Sequence, residues 1–502
     1  MEILIGIDLG TTVLKAAAFD RRSGAALAQA AIRLPVRSAA DGTREQDPAE
    51  IDAALAETLQ AIRRRLGARW ASVRGLGLAA QGGSAVIVNR TTGRPLTPLI
   101  LWNDTRASSL LPEIAARKPA GYWRTLAQRE GPGAGLARLV WLRRRQPGLL
   151  SPANLYAGAG EYLYFRLTGL WRQDAGNALQ IGCYRVARRN LDQGPLDLVG
   201  VDKSFFAPMR RGHERHPLSV AAAQRFGLSP EVLVAGPYMD HEAGYLSAFG
   251  AGRRPLQCSL GTAWVGNFVL PDDSPGASSI QLVLPSPVGA GRLVVQPLLT
   301  GNVTWDWALA TFVHSAHRTA LSRLDGIFAE NLLPPPGLTF LPWLTQANPL
   351  EATAMGGGAF FGLGPHTTSA EMLRAVAAGL ACEMARVMTE VVASGAVDGV
   401  VLGGGASKGR FFRELLAALF APLPVFSPAD EDLSGARGAV FTFSSAAAGA
   451  RTRRVLPPPA QVRRRIARAY EMYLQVFDRL YGQVKVGQAF HFGQPKRRKT
   501  GR

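Results

Sequence analysis

The sequence predicts an α/β chain built from two duplicated domains around a central cleft. Three observations carry that expectation. An apolar strand, I-L-I-G-I-D-L-G at 3–10, ends at an acid and a glycine, and V-L-K-A-A-A-F-D at 13–20 reads as its return strand. A second strand, turn and strand, P-L-Q-C-S-L-G-T-A-W-V-G-N-F-V-L at 255–270, follows about half a chain later. Around both hairpins, strand patterns alternate with helical ones, as in an α/β layer architecture. Two hairpins turning at Gly10 and Gly261 point to an internal duplication, each domain offering one hairpin loop to a shared cleft.

The elements follow in order. Residues 48–66 place apolar side chains at helical spacing, with acids in the first turn and Arg63, Arg64 and Arg65 in the last, which suits the helix dipole. A-S-V-R-G-L-G-L-A-A-Q, ending at Gln81, reads as a strand, as does V-L-V-A-G-P-Y-M before Asp240. G-V-V-L-G-G-G-A-S-K-G-R-F-F-R-E-L-L-A-A-L-F at 399–420 is a buried strand, a triple glycine and an amphipathic helix. Prolines at 334–336 and 457–459 punctuate the second half. Beyond the latter, Ile466, Tyr470, Tyr473, Leu474, Phe477 and Leu480 recur at helical spacing, predicting a docked terminal helix over 460–481. The expected divisions are 1–245 and 246–450 for the two domains, 451–484 for a linker and docked helix, and 485–502 for a basic mobile tail.

Composition narrows the function. With 47% hydrophobic and 19% charged residues over 502 positions, the chain is a folded protein and not a disordered one. No apolar run approaches the roughly 20 residues of a membrane helix, and no basic and apolar leader precedes the first strand, so the expected compartment is the cytoplasm. Cys183, Cys258 and Cys382 lie too far apart for a disulfide framework or a paired zinc site. The net charge of +20 would suit nucleic acid, but the last 52 residues hold fourteen Arg or Lys against Glu471 and Asp478, a net +12. Arginine outnumbers lysine 50 to 7 in a chain rich in Ala and Gly, a bias that need not report a ligand. Nucleic acid is therefore not the expected partner.

The chemistry concentrates in three loops. In D-L-G-T-T, the glycine and two threonines expose N–H and O–H groups to an anion, Asp8 could hold a magnesium ion or its waters, and Lys15 could add charge. An ordinary hairpin with a satisfied turn acid would read alike. The recurrence of glycine and threonine at Gly261 and Thr262 favours a polyphosphate clamp. The triple glycine at 403–405 lets a ligand approach the backbone before a helix N-terminus.

Taken in order, these pieces resemble the FGGY carbohydrate kinases, whose ribonuclease H-like fold belongs with actin, hexokinase and the Hsp70 ATPase. The resemblance spans about residues 1–482 and rests on I-G-I-D-L-G-T-T, G-L-G-L-A-A-Q, L-I-L-W-N-D-T-R-A at 99–107, Asp240 and the small residues after it, S-L-G-T at 259–262, T-W-D-W at 304–307, F-L-P-W-L at 340–344, G-G-A-F-F-G-L at 357–363 and L-G-G-G-A-S-K. W-N-D-x-R leans to the xylulokinase-like branch. The resemblance implies Mg2+ and ATP, with Asp240 as general base and Asp8 near the metal. It assigns Thr11, Thr12, Lys15, Gly261 and Thr262 to the phosphates, and Gly404, Gly405 and Ser407 to the adenosine side. Gln81, Gly82, Gly83, Asp104, His241 and Glu242 fall on the acceptor side.

Departures cluster on that acceptor side. Where xylulokinase-like members carry Q-M-H-G, this chain has Gln81, Gly82, Gly83 and Ser84. After Asp240, His241 and Glu242 replace an amide and a small residue, and either contact sugar hydroxyls or form a hydrogen-bonded pair. S-L-G-T is followed by Ala263 where serine is usual, and Q-A-N-P stands near the expected E-R-T-P. The resemblance implies ATP-dependent phosphorylation of a sugar hydroxyl, first of a xylulose-like ketose. Another polyol, a sugar acid, or a catalytically weak ATP-binding regulatory relative are the alternatives. The expected partners are the small-molecule acceptor and at most a second copy of the chain, with no membrane.

Overall fold

The computed structural model describes residues 1–249, 254–272, 274, 281–313, 320–344, 357–449 and 451–481. They fall into two compact units: Met1–Arg253 with Leu282–Gly289 and Pro428–Thr452, and Arg254–Gln281 with Ala290–Ser427 and Arg453–Arg502.

In the first unit, β1 (Ile3–Leu9), β2 (Val13–Asp20) and β3 (Ala26–Arg33) form an antiparallel meander. Helix α1 (Pro48–Leu66) follows, capped by the Asp47 side chain on Ala49 N–H (2.8 Å) and closed by Gly67 at φ +56°. β4 (Val73–Ala80) then pairs parallel with β1. Helices α2 (Ala159–Thr168) and α3 (Ala175–Ile181) precede β5 (Leu233–Met239), which lies parallel on the far side of β4 and runs directly into α4 (Asp240–Phe249). The carboxyl ends of β1, β4 and β5 thus sit side by side, the position at which open α/β sheets bind ligands.

The second unit repeats this plan. β6 (Pro255–Leu260), β7 (Trp264–Leu270) and β8 (Arg292–Pro297) form the antiparallel meander. After α5 (Asn302–Phe312) and α6 (Ser369–Ala393), β9 (Gly399–Gly403) pairs parallel with β6, α7 (Arg410–Leu419) follows, and β10 (Val425–Pro428) pairs parallel with β9. The expected duplication is therefore visible as two sheets with the same strand directions and order.

One segment returns late in the chain. Helix α8 (Ser434–Ala439) belongs to the first unit and packs on β1, β4 and α4. It explains why β1 is apolar on both faces up to Asp8. Ile3, Ile5, Ile7 and Leu9 join Ile51, Leu55, Leu59 and Ile62 of α1, while Leu4 on the opposite face packs with Ala436 and Val440. Gly6 and Gly77 carry no Cβ because the backbone carbonyls of Ala436 and Ala439 occupy that place. Burying each large aliphatic side chain contributes about 1.5–3 kcal/mol, so covering both faces of β1 is a major part of this unit's stability.

The expected terminal helix is present as α9 (Ala460–Tyr481) in the second unit. Ile466, Tyr473 and Phe477 are buried, whereas Leu480, expected on the same face, is exposed. Tyr473 OH donates to Glu383 Oε2 (2.7 Å), whose other oxygen takes Trp343 Nε1–H (3.0 Å), so a buried acid on α6 anchors the helix. Residues 485–502 lie outside the described ones, as does Q-A-N-P at 346–349.

Candidate active site

In the first unit, the carboxyl ends of the parallel strands gather two acids. Asp8 is the penultimate residue of β1, opposite Lys15 across the hairpin and Ala79 on β4. Asp240 directly follows Met239, which lies opposite Ala80. Burial, and next the charge of Asp240, push the Asp8 carboxyl up to about 6, with Lys15 opposing. Among the described residues, no donor is hydrogen-bonded to Asp8, whose carboxylate seats against Gly435 of α8, where a Cβ would overlap it. Lys15 Nζ lies 3.9 Å from Asp432 Oδ1. At the start of α4, His241 N–H donates to Asp240 Oδ1 (2.9 Å), which fixes one oxygen and leaves Oδ2 without a donor among the described residues.

Among the described residues, no group of three or more His, Cys, Asp or Glu forms a metal cage. Magnesium does not need one, since it usually keeps waters and takes one or two carboxylates plus substrate phosphates. Two adjacent carboxylates, one of them without a protein donor, fit that mode.

The first hairpin is tightly braced. Gly10 N–H donates to Val13 O (3.0 Å), closing the turn. Thr11 Oγ1 donates to Gln81 Oε1 (3.0 Å) and accepts from Trp102 Nε1 (3.1 Å), while Gln46 Nε2 donates to Thr11 O (2.8 Å). Thr12 is exposed, with no side-chain hydrogen bond among the described residues. Gln81 is buried and also takes Ser84 Oγ–H (3.1 Å), so it orders the 81–84 loop from beneath.

That loop is clamped from below. Arg138, only 2% exposed, donates to the carbonyls of Gly83, Leu101 and Trp102, the last two at 2.8 Å. Asn177 of α3 accepts from Gly83 N–H (3.2 Å), donates through Nδ2 to Glu161 Oε1 (3.0 Å), and takes its own N–H to Asp174 Oδ1 (2.9 Å). Burial, and then repulsion between neighbouring acids, pushes the Glu161 and Asp174 carboxyls well above the usual range.

Two acceptor-side acids have protein partners. Asp104 is buried and accepts from Arg44 N–H (2.8 Å) and Arg106 Nε (3.0 Å), with Arg106 also on Glu45 (2.6 Å). Glu242 is buried and pairs with Arg210 (2.8 Å), not with His241. His241 is partly exposed, and its ring makes no hydrogen bond to the described residues. Gly82 and Gly83 pack against the side chain of Gln180 of α3, a residue in none of the motifs.

The second unit brings its own predicted residues together. Gly404, at φ +86°, seats on the hairpin turn so closely that a Cβ would lie 2.7 Å from the Leu260 carbonyl carbon and 2.9 Å from Gly261 N. Asn302 N–H and Val303 N–H, from the start of α5, donate to Gly261 O (3.2 Å) and Thr262 O (3.3 Å). Thr262 is exposed, and Gly405 has room around it. Ser407 is fully buried and its hydroxyl donates to Gly404 O (2.7 Å), so it shapes the glycine turn.

With this geometry in place, comparison with known proteins decides the family. Residues 3–247 match the N-terminal domain of the FGGY family of carbohydrate kinases, and residues 291–447 match its C-terminal domain. The chain belongs to the FGGY family of carbohydrate kinases. It is 27% identical to an erythritol kinase of Brucella abortus (strain 2308), over 87% of this chain and 86% of that one. It is 26% identical to a xylulose kinase of Escherichia coli (strain K12), over 82% and 84%. Among solved structures, a xylulose kinase from Rhodospirillum rubrum superposes with a TM-score of 0.82 at 20% identity, covering 96% of this chain and 99% of that one. A gluconate kinase from Lactobacillus acidophilus gives 0.79 at 23%, with the same coverage. This FGGY kinase thus has the expected two-domain fold of the actin and hexokinase group, and its activity is that of a sugar or polyol kinase. No described helix is long and apolar enough to cross a membrane.

Sequence motifs located the acids, both hairpins and the glycine turn. They missed Gln46, Arg138, Asn177 and Gln180. The i, i+3 spacing of Asn177 and Gln180 on α3 was the available signal, since it sets both on one helical face.

Proposed function

We propose that this chain transfers the γ-phosphoryl group of ATP to a hydroxyl of a xylulose-like ketose, with Asp240 as the general base. The observation that carries the reading is the pair of acids at the carboxyl ends of β1 and β5, close enough that the charge of Asp240 raises the Asp8 carboxyl. As the acceptor oxygen bonds to phosphorus and the bond to the ADP oxygen breaks, the hydroxyl proton passes to Asp240 Oδ2. The backbone bond to His241 holds Oδ1 and so orients the carboxylate.

Asp8, with Asp240 beside it, would hold Mg2+, which supplies charge neutralisation to the phosphates. Thr12, Gly261 and Thr262 offer hydroxyl and N–H donors to the same groups, and Lys15 adds positive charge. Thr11 acts by holding the turn to Gln81. Gly404 and Gly405 give the adenosine side an unobstructed backbone, with Ser407 acting through Gly404.

An uncharged polyol is the second reading, favoured by the 27% identity to an erythritol kinase. The test is coupled ADP release over pentuloses, hexuloses, polyols and sugar acids. A ketose turned over best supports the first reading, a polyol the second, and ADP release that no acceptor stimulates sinks both. Asp8→Asn should raise the Mg2+ concentration needed for half-maximal rate several-fold, read from a magnesium titration at saturating acceptor.

A further inference from the structure

Gln180, near the end of α3, stands where the 81–84 loop has no side chains. A Cβ on Gly82 would overlap its Nε2, and a Cβ on Gly83 its Oε1. Gly83 is also at φ +76°, which L side chains rarely adopt. The carboxamide therefore fills the volume that residues 82 and 83 would otherwise claim. Its placement is rigid: Asn177, one turn earlier, accepts from Gly83 N–H, and Gly133 packs against the Gln180 carbonyl so closely that a Cβ there would lie 2.8 Å from it.

The carboxamide is nevertheless underused. Its Nε2 reaches only the sulfur of Met239 at 3.9 Å, a weak acceptor, and its Oε1 has no hydrogen-bond partner among the described residues. Gln180 is partly exposed, and its unpartnered Oε1 is not sealed from solvent. Met239 is the residue immediately before Asp240, which sets the amide beside the proposed base.

We propose that Gln180 is a specificity-determining residue of the acceptor site. It supplies the acceptor's hydroxyls with one donor and one acceptor in place of side chains at 82 and 83. The acceptor is then an uncharged polyhydroxy compound and not a sugar acid. A hydroxyl can both give and take a hydrogen bond, as the amide requires, whereas a carboxylate has no proton to give to Oε1. Of the nearby cations, Arg138 donates to three carbonyls and Arg210 pairs with Glu242. The proposal rests on reading the 81–84 loop as the acceptor site.

The test compares wild type, Gln180→Met and Gln180→Ala in ADP release over neutral ketoses and polyols and over sugar acids, with ATP KM and Tm measured alongside. Gln180→Met keeps the length without the amide. It should raise KM for the best neutral acceptor about three- to tenfold, the worth of a neutral hydrogen bond, while ATP KM and Tm stay unchanged. Gln180→Ala, which also empties space, should admit Gly82→Ala with a smaller Tm loss than wild type does. An active wild type whose acceptor KM and ranking survive Gln180→Met overturns the proposal and leaves the kinase reading standing. A wild type that prefers a sugar acid overturns the acceptor class, and one with no acceptor-stimulated turnover overturns both.

Discussion

The two hairpins share a sequence pattern and a place in their sheets, yet they are built for different work. In the first, the residue two before the turn glycine is Asp8; in the second it is Ser259. The first hairpin is held by side chains, with Thr11 tied to Gln81 and Trp102 and its backbone to Gln46. The second is held from the start of α5, by the Asn302 and Val303 N–H groups and by the Asn302 side chain, which donates to Leu260 O (3.4 Å) and accepts from Trp264 Nε1 (3.1 Å). After the first parallel strand beyond each hairpin comes a glycine pair, Gly82–Gly83 and Gly404–Gly405, but only the former is filled by a polar side chain from elsewhere. Duplication supplied two equal frames. Acids and amides stand around the first, and an open glycine turn stands beside the second.

The largest expected effect breaks the acid side. Asp240→Asn keeps the shape but cannot accept the hydroxyl proton, so kcat should fall about 10²- to 10⁴-fold with ATP binding retained. Near-normal kcat on the best acceptor would move the base elsewhere and remove the asymmetry.

Gly404→Ala attacks the backbone side. At φ +86° and against Leu260 and Gly261, a methyl group must displace main chain, costing about 1–3 kcal/mol and misplacing the second hairpin. ATP KM should rise by more than about tenfold while acceptor ranking is kept. A change in acceptor ranking instead would show that the glycine turn serves the acceptor.

A pH series separates the units by stability. Glu161 and Asp174, in the first unit, are buried acids whose carboxyls are held above their ordinary values. The native state therefore binds more protons than the unfolded state from about pH 4 upward, and unfolding free energy falls as pH rises through the neutral range. Glu161→Gln should flatten that fall, measured as Tm against pH. An unchanged slope would mean that these carboxyls are ionised in the native state.

The smallest effect sharpens the contrast between glycines. A Cβ at Gly261 would meet nothing closer than 3.8 Å, whereas one at Gly10 would lie 3.1 Å from Val13 O. Gly261→Ala should leave Tm within about a degree, because packing does not demand glycine there, yet raise ATP KM severalfold if phosphate approaches that backbone. An unchanged ATP KM would take Gly261 out of the phosphate site.

The sequence alone determined the hairpins, α1, the glycine turn and the terminal helix, because each is written in local periodicity, caps and turn residues. It also located Asp8, near the carboxyl end of β1, and Asp240, directly after β5. Tertiary structure decided what each polar residue is used for. Glu242 reads as a contact to sugar hydroxyls or a partner of His241, but Arg210, 32 positions away, takes it. Ser407 reads as part of the adenosine-side loop, but the turn folds its hydroxyl inward onto Gly404 O. The return of α8 onto β1 was not legible either, because Gly6 and Gly77 show only that some backbone comes close, not which one. Gln180 carries no motif at all. Its place beside Gly82 and Gly83 comes from the packing of α3 against a loop nearly a hundred residues earlier, and long-range packing leaves no period in the chain.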